Sequence, residues 1–114
     1  MKKPIGTIKT YFKDELLVKV TPFAGGFWLY GFFDKYNFEA RVIDAACSDC
    51  INGGRVTNLT AFNSYFTEDS SFYTQVARYS GEWDIRPQGG TVRAKVDALI
   101  AHLEELPTSE VFEA

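Results

Sequence analysis

Alternating apolar and polar side chains predict β-strands along most of the chain. The clearest alternation runs through residues 36–44, where every second residue from Tyr36 to Val42 is apolar and the residues between them are polar. This two-residue period is typical of a half-buried strand. Other runs of β-forming residues, bounded by glycines or polar turns, predict further strands at 5–12, 16–20, 27–33, 55–62, 72–79 and 82–86.

The run from Phe27 to Phe33 lacks this alternation because nearly every side chain in it is aromatic or aliphatic. A short continuous apolar run of this length is typical of a strand that is buried on both faces. The pattern therefore predicts two-sided burial for this strand.

One segment near the C-terminus has a helical period instead. Its apolar residues follow the spacing of a single stripe on an α-helix, and they are Val92, Val96, Leu99, Ile100, Leu103 and Leu106. Thr91 is the predicted N-cap, and Pro107 ends the helix. We therefore expect one domain over residues 1–107, followed by a flexible acidic tail over residues 108–114.

Short turns between strands, followed by one helix, predict an α+β fold. The sheet is expected to be mostly antiparallel, with about six strands, because no connection between strands is long enough for a helical crossover. The C-terminal amphipathic helix then packs on one face of the sheet. The chain contains 10 Phe, 6 Tyr and 2 Trp residues, which is more aromatic surface than one helix can cover. The face of the sheet opposite the helix therefore needs an explanation of its own.

Charge and hydropathy narrow the class of partner. The formal net charge is −3 and the isoelectric point is about 5.1, and no basic run extends beyond Lys2 and Lys3, so we expect no general binding of nucleic acids. No apolar run approaches the roughly 20 residues that span a bilayer, and the first residues do not resemble a signal peptide. The sequence therefore predicts a cytoplasmic protein without membrane contact.

A glycine turn carries the first candidate binding site. Asn52, Gly53, Gly54 and Arg55 follow one another, and consecutive glycines allow backbone N–H groups to converge on an anion, to which Arg55 adds a forked cationic donor. These residues predict a site for phosphate or carboxylate. The alternative is a tight turn that leads into a strand.

Trp83 and Arg86 form a second candidate within a short predicted strand. An arginine beside an aromatic ring is suited to stacking on a base and to clamping a phosphate. In the structural alternative, Trp83 and Ile85 face the core while Arg86 pairs with Asp84.

Four aromatic residues interrupt the polar segment between two predicted strands, and they are Tyr65, Phe66, Phe72 and Tyr73. Aromatic side chains are typical anchors of protein interfaces because they offer a large contact area at low entropic cost. They predict a surface that binds a protein partner, unless the segment folds back on the core.

Cys47 and Cys50 have the spacing of a zinc or thiol–disulfide site. A zinc site needs two further ligands, and His102 is the single histidine of the chain. We therefore favour two small apolar loop residues over redox or metal chemistry. Since no motif pairs a nucleophile with a base, we expect no catalytic residues, no metal and no cofactor.

The central segment resembles a small domain-of-unknown-function family of Firmicutes and their phages. The resemblance rests on Trp28-Leu29-Tyr30-Gly31, on residues 36–44, on Ile51-Asn52-Gly53-Gly54-Arg55-Val56 and on residues 81–87. Cys50 stands where that family usually has glycine. The resemblance implies a phage or mobile-element setting, in which small proteins often act by stoichiometric binding, and it implies no catalytic activity.

We accordingly expect a non-enzymatic binding protein that blocks or sequesters a component of host defence. Its target is either a host defence protein, as for an anti-CRISPR inhibitor, or a small anionic ligand such as a nucleotide immune signal. One alternative is a thiol-redox or metal-linked protein that uses Cys47 and Cys50. Another is a structural module whose aromatic sheet face makes a homo-oligomer.

Overall fold

A computed structural model of the chain describes residues 9–13, 16–34, 36–63 and 75–109. Within these ranges the chain forms seven strands, one short 3-10 turn and one α-helix. They are β1 (Lys9–Lys13), β2 (Leu16–Phe23), β3 (Gly26–Phe33), β4 (Tyr36–Ile43), the 3-10 turn (Ile51–Gly53), β5 (Val56–Asn63), β6 (Gln75–Ser80), β7 (Trp83–Ile85) and α1 (Gly90–Glu104).

The strands form one sheet in which each strand pairs with its neighbours along the chain. The spatial order runs from β1 to β7 without a crossover, and every pairing is antiparallel. Short connections favour this arrangement because hairpin turns can join antiparallel neighbours directly. The predicted α+β class, with a mostly antiparallel sheet and a C-terminal helix, is confirmed.

The core lies between α1 and one face of the sheet. Alternate residues of the strands point to this face, and the apolar stripe of the helix packs against them. Val96, Leu99, Ile100, Leu103 and Leu106 are buried there and Val92 is partly buried, which confirms the predicted stripe. The alternation predicted for β4 is also confirmed, because Tyr36, Phe38, Ala40 and Val42 are all buried.

The prediction that β3 is buried on both faces is wrong. Phe27, Leu29 and Phe33 are buried, but Trp28, Tyr30 and Phe32 are 48%, 47% and 51% exposed. The cause is tertiary, since α1 covers one face of the sheet and no described element covers the other. Successive side chains of β3 therefore alternate between the inner and the outer face of the sheet, although nearly all of them are apolar.

The helix also begins two residues earlier than predicted. Gly89 occupies the N-cap position with φ of 85°, and Thr91 lies inside the first turn. A positive φ is accessible to glycine at little steric cost, so the backbone at Gly89 turns directly into the helix. The N-cap residue Gly89 has no side chain to cap the first N–H groups of α1, and the first turn of the helix holds no acidic residue.

The packed part of the domain extends beyond the predicted boundary at residue 107. Ser109 is buried, its backbone N–H donates to Asp44 Oδ1 at 2.8 Å, and its hydroxyl donates to Asp44 Oδ2 at 2.6 Å. These bonds fix the segment after α1 to the end of β4. Residues 110–114 of the predicted tail lie outside the described residues.

Candidate functional site

The glycine turn between β4 and β5 holds an anion, and the anion comes from the chain itself. The backbone N–H of Arg55 donates to Glu104 Oε1 at 2.9 Å and to Oε2 at 2.8 Å. The N–H of Val56 donates to Glu104 Oε2 at 3.3 Å. The turn therefore has the anion-binding geometry that its residues predict, and the carboxylate of Glu104 fills it.

Gly54 is needed for this close approach. A Cβ atom at this position would lie 2.6 Å from the carboxyl carbon of Glu104, which is far inside van der Waals contact. Glycine therefore gives the carboxylate the space to reach the backbone N–H groups.

The side chain of Arg55 is occupied as well. Its Nε donates to Ile43 O at 2.8 Å, Nη1 donates to Glu104 O at 3.2 Å and Leu106 O at 2.6 Å, and Nη2 donates to Pro107 O at 3.3 Å. The last carbonyls of a helix lack partners within the helix and carry partial negative charge. Arg55 donates to the carbonyl of Glu104, the last helical residue, and to two carbonyls of the segment that follows, and so fastens the end of α1 to the sheet.

The structure brings Asn52, Trp83 and Arg86 together in a cleft of about 530 Å³. The connection from β7 to α1 and the first three turns of α1 complete its walls, with Pro87, Gln88, Gly89, Arg93, Asp97 and Ile100. Three of the six predicted ligand residues thus share one site. The other three, Gly53, Gly54 and Arg55, belong to the turn that holds Glu104.

The cleft carries an excess of positive charge. Arg86 and Arg93 are both exposed, and neither guanidinium forms an ion pair with a described residue. Asp97 is the one acidic residue in the described lining. The uncapped first turn of α1 begins beside the same cleft and adds partial positive charge from its N–H groups.

Trp83 gives the cleft an aromatic wall with a fixed orientation. Its ring packs edge-on against the ring of Tyr79, with 5.2 Å between centroids, and Tyr79 is buried in the core. The hydroxyl of Tyr79 donates to Asp49 O at 2.6 Å. Trp83 is therefore partly buried and held on a rigid support at the edge of the cleft.

Residues 27–104, more than half of the chain, match the model of a protein family described as a domain of unknown function, DUF7678. The chain belongs to the DUF7678 family. The match includes the residues of the cleft, the glycine turn and Glu104. No curated protein and no solved structure matches the chain.

One polar prediction for this DUF7678 domain needs correction. Asp84 does not pair with Arg86, because the β6–β7 hairpin places it beside Arg78 and Ser80 instead. Arg78 Nε lies 3.7 Å from Asp84 Oδ2, and the hydroxyl of Ser80 donates to the same oxygen at 2.7 Å. The predicted inward position of Trp83 does occur, since its ring packs against the core.

The cysteines of the DUF7678 domain are not two free apolar residues, because Cys47 and Cys50 form a disulfide. The N–H of Cys50 donates to Cys47 O at 3.2 Å, and this turn brings the two Cα atoms within 5.2 Å. The N–H of Cys47 donates to Gly54 O at 2.9 Å, so the disulfide lies next to the glycine turn. The described residues contain no group of three or more side chains suited to hold a metal.

We expect the disulfide to stabilise the domain by constraining the unfolded chain, and by only about 2 kcal/mol because the loop that it closes is very short. Urea unfolding of the wild type with and without a reductant measures this difference. The variant Cys47→Ala/Cys50→Ala is the control, since its stability should match the reduced wild type and should not respond to reductant. Equal stability of the oxidised and reduced wild type would contradict the prediction.

The remaining predicted site residues, Tyr65, Phe66, Phe72 and Tyr73, lie outside the described residues. Sequence reasoning in turn missed Arg93, which lies outside the apolar stripe of the helix. Arg93 stands one helical turn after Gly89, and its N–H donates to Gly89 O at 3.0 Å, so the helix start decides that it lines the cleft. Among the described residues, no helix has the length and apolar character that a bilayer crossing requires.

Proposed function

We propose that this DUF7678 protein is a non-enzymatic binding protein whose cleft holds a small anionic ligand of the nucleotide type. The observation that carries the proposal is the convergence of Trp83, Arg86 and Arg93 around one cleft, with neither arginine paired to a described carboxylate. Unpaired guanidinium groups beside an aromatic ring suit a ligand with a phosphate and a base.

Each group has a distinct part in this proposal. Arg86 and Arg93 present planar forks of N–H donors, which match the oxygens of a phosphate. Trp83 offers a ring on which a base stacks, and Asn52 supplies amide donors and an acceptor at the rim. A volume of about 530 Å³ lies within the usual range for small-molecule sites.

The strength of such a site follows from its contacts. Stacking is worth about 1–3 kcal/mol per base, and a hydrogen bond to a charged group about 1.5–3 kcal/mol. One or two of each give a dissociation constant in the micromolar range. A tighter complex needs further contacts from a ligand with a second base or a second phosphate.

The biological role that we propose is antagonism of host defence in the cytoplasm, by a protein of phage or mobile-element origin. A protein that sequesters a nucleotide immune signal acts stoichiometrically, so a binding cleft is sufficient for the role. The family resemblance of the central segment supports this setting. Inhibition of a host defence protein through the segment from Tyr65 to Tyr73 is the related alternative.

The test is calorimetric titration of the full chain with a cyclic dinucleotide, a mononucleotide and inorganic phosphate. We expect the nucleotides to bind, and Arg86→Ala and Arg93→Ala each to weaken binding by about tenfold or more, which corresponds to one lost charged hydrogen bond. Arg78→Ala is the matched control, because Arg78 lies away from the cleft and pairs with Asp84.

Three outcomes would contradict the proposal. In the first, none of the nucleotides binds. In the second, the Arg86 and Arg93 variants bind as the wild type does. In the third, the nucleotide is converted over many turnovers per chain, which would show that the protein is an enzyme.

A further inference from the structure

The sheet face opposite α1 exposes a continuous aromatic and aliphatic surface, which we name the open face. Its centre is formed by Trp28, Tyr30 and Phe32 of β3, and Leu17 of β2 lies beside Phe32. Monomeric proteins rarely leave contiguous apolar surface of this kind in water. Three neighbouring aromatic side chains in the middle of a seven-stranded sheet therefore indicate an interface.

We propose that a second copy of this chain covers the open face, packed sheet against sheet, with a two-fold axis that runs along β3. Two sheets that pack face to face lie about 10 Å apart, which leaves room for the side chains of both copies. The aromatic residues of β3 lie on the axis and meet their counterparts from the other copy. A surface that binds its own copy in this way has to be self-complementary.

The charges of the open face meet this condition. Lys19 of β2 and Glu39 of β4 stand in one row across the sheet, on either side of Tyr30. Rotation about an axis along β3 exchanges the two sides of that strand. Lys19 of each copy is thereby placed opposite Glu39 of the other, so two intermolecular ion pairs form.

Within the described part of one copy, neither charge has a partner of opposite sign. Lys19 and Glu39 are exposed, and neither forms an ion pair with another described residue. They are separated by two strand spacings, roughly 9.6 Å between the backbones. The two-fold contact supplies each of them with a partner of opposite charge.

Arg41 supports the aromatic centre of the open face. Its guanidinium carbon lies 5.0 Å from the centroid of the Phe23 ring and 5.6 Å from that of the Trp28 ring. These cation–π contacts hold Trp28 in place before association. A preformed aromatic anchor loses little freedom when a partner binds it.

The available area is sufficient for a stable dimer. Five neighbouring strands of up to eight residues offer about 600 Å² on each copy, or about 1,200 Å² in total. This value falls at the lower bound of specific protein interfaces. A nucleic acid fits the face less well, because Glu39 lies in its central row and the chain is acidic overall.

The cleft lies beside α1, on the other side of the sheet, so the dimer leaves it open. The dimer and the ligand site are therefore independent proposals. A failure of one does not bear on the other.

The experiment measures mass in solution by light scattering and sedimentation for the full chain at micromolar concentration. We expect the wild type to be a dimer and the charge reversals Lys19→Glu and Glu39→Lys each to weaken it by at least about 100-fold, since each places like charges opposite one another twice. Glu105→Lys, a reversal at the exposed end of the helix, is the control and should remain dimeric.

Two further samples test the axis itself. The double variant Lys19→Glu/Glu39→Lys should dimerise again, because both ion pairs return with opposite polarity. An equimolar mixture of the two single variants should form a heterodimer for the same reason, and this result also shows that both variants are folded.

A monomeric wild type would overturn the proposal. So would a dimer that tolerates both single reversals, or single variants that fail to recover when combined. Binding of single-stranded DNA to a monomeric wild type would assign the open face to a different partner and would overturn the proposal as well.

Discussion

Replacing Arg55 by alanine is expected to destabilise the domain by about 3 kcal/mol, with a fall in Tm of about 10 °C. The guanidinium donates to Ile43 O on the sheet and to Glu104 O, Leu106 O and Pro107 O at the end of α1. Without it, these carbonyls lose a charged donor, and the bonds from the Glu104 carboxylate to the backbone N–H groups of residues 55 and 56 are left to join the helix to the sheet.

Chemical and thermal unfolding measure this loss, and Arg86→Ala is the matched control. Arg86 is exposed and pairs with no described residue, so its removal should change the free energy of unfolding by no more than about 0.5 kcal/mol. Arg55→Lys should recover only part of the loss, because lysine lacks the planar fork of donors. Equal stability of Arg55→Ala and the wild type would refute a structural role for Arg55.

Replacing Gly31 by alanine is expected to cost about 3 kcal/mol or more. Gly31 lies in the middle of β3 and pairs with Val18 of β2. An added Cβ would overlap the backbone carbonyl oxygen of Leu17 and lie 2.9 Å from the Cα atom of Val18. Overpacking costs about 1–3 kcal/mol where side chains can yield, and here the obstacle is the backbone of a paired strand.

Gly90→Ala is the control for this substitution, and it should change the free energy of unfolding in the opposite direction. Position 90 begins α1 and has no atom within 4 Å of an added Cβ. Alanine there should therefore stabilise the helix by about 0.5–1 kcal/mol. Urea unfolding of the two variants and the wild type measures both changes in free energy. A change in the same direction for both variants would contradict the prediction.

The sequence was a good guide wherever burial alone decides the pattern. The alternation of β4 and the stripe of α1 were predictable because each element has one buried face, and its apolar residues occur at the positions that point to that face. The run in β3 was misleading for the converse reason. Its outer residues are aromatic as well, so composition could not show which of Phe27 and Trp28 points away from the core.

The candidate site was predictable in its chemistry and less so in its geometry. Residue type was enough to single out Trp83 and Arg86, but Arg93 joins them because Gly89 starts the helix where it does. Likewise, the glycine turn was predicted to bind an anion. That its anion is Glu104, 49 residues beyond Arg55, depends on how the helix packs and has no local signal.

The bond between the glycine turn and Glu104 has a consequence for how the protein emerges from the ribosome. The seven strands of the described residues all precede α1 in the chain, and each pairs with a sequence neighbour, so the hairpins can form in order of synthesis. Throughout this period the backbone N–H groups of the glycine turn lack the carboxylate of Glu104 that they bind in the folded protein. We expect a nascent chain that is halted before Glu104 to remain sensitive to protease. Once the last turn of the helix leaves the exit tunnel, Glu104 can bind the glycine turn, and we expect the sheet to become resistant.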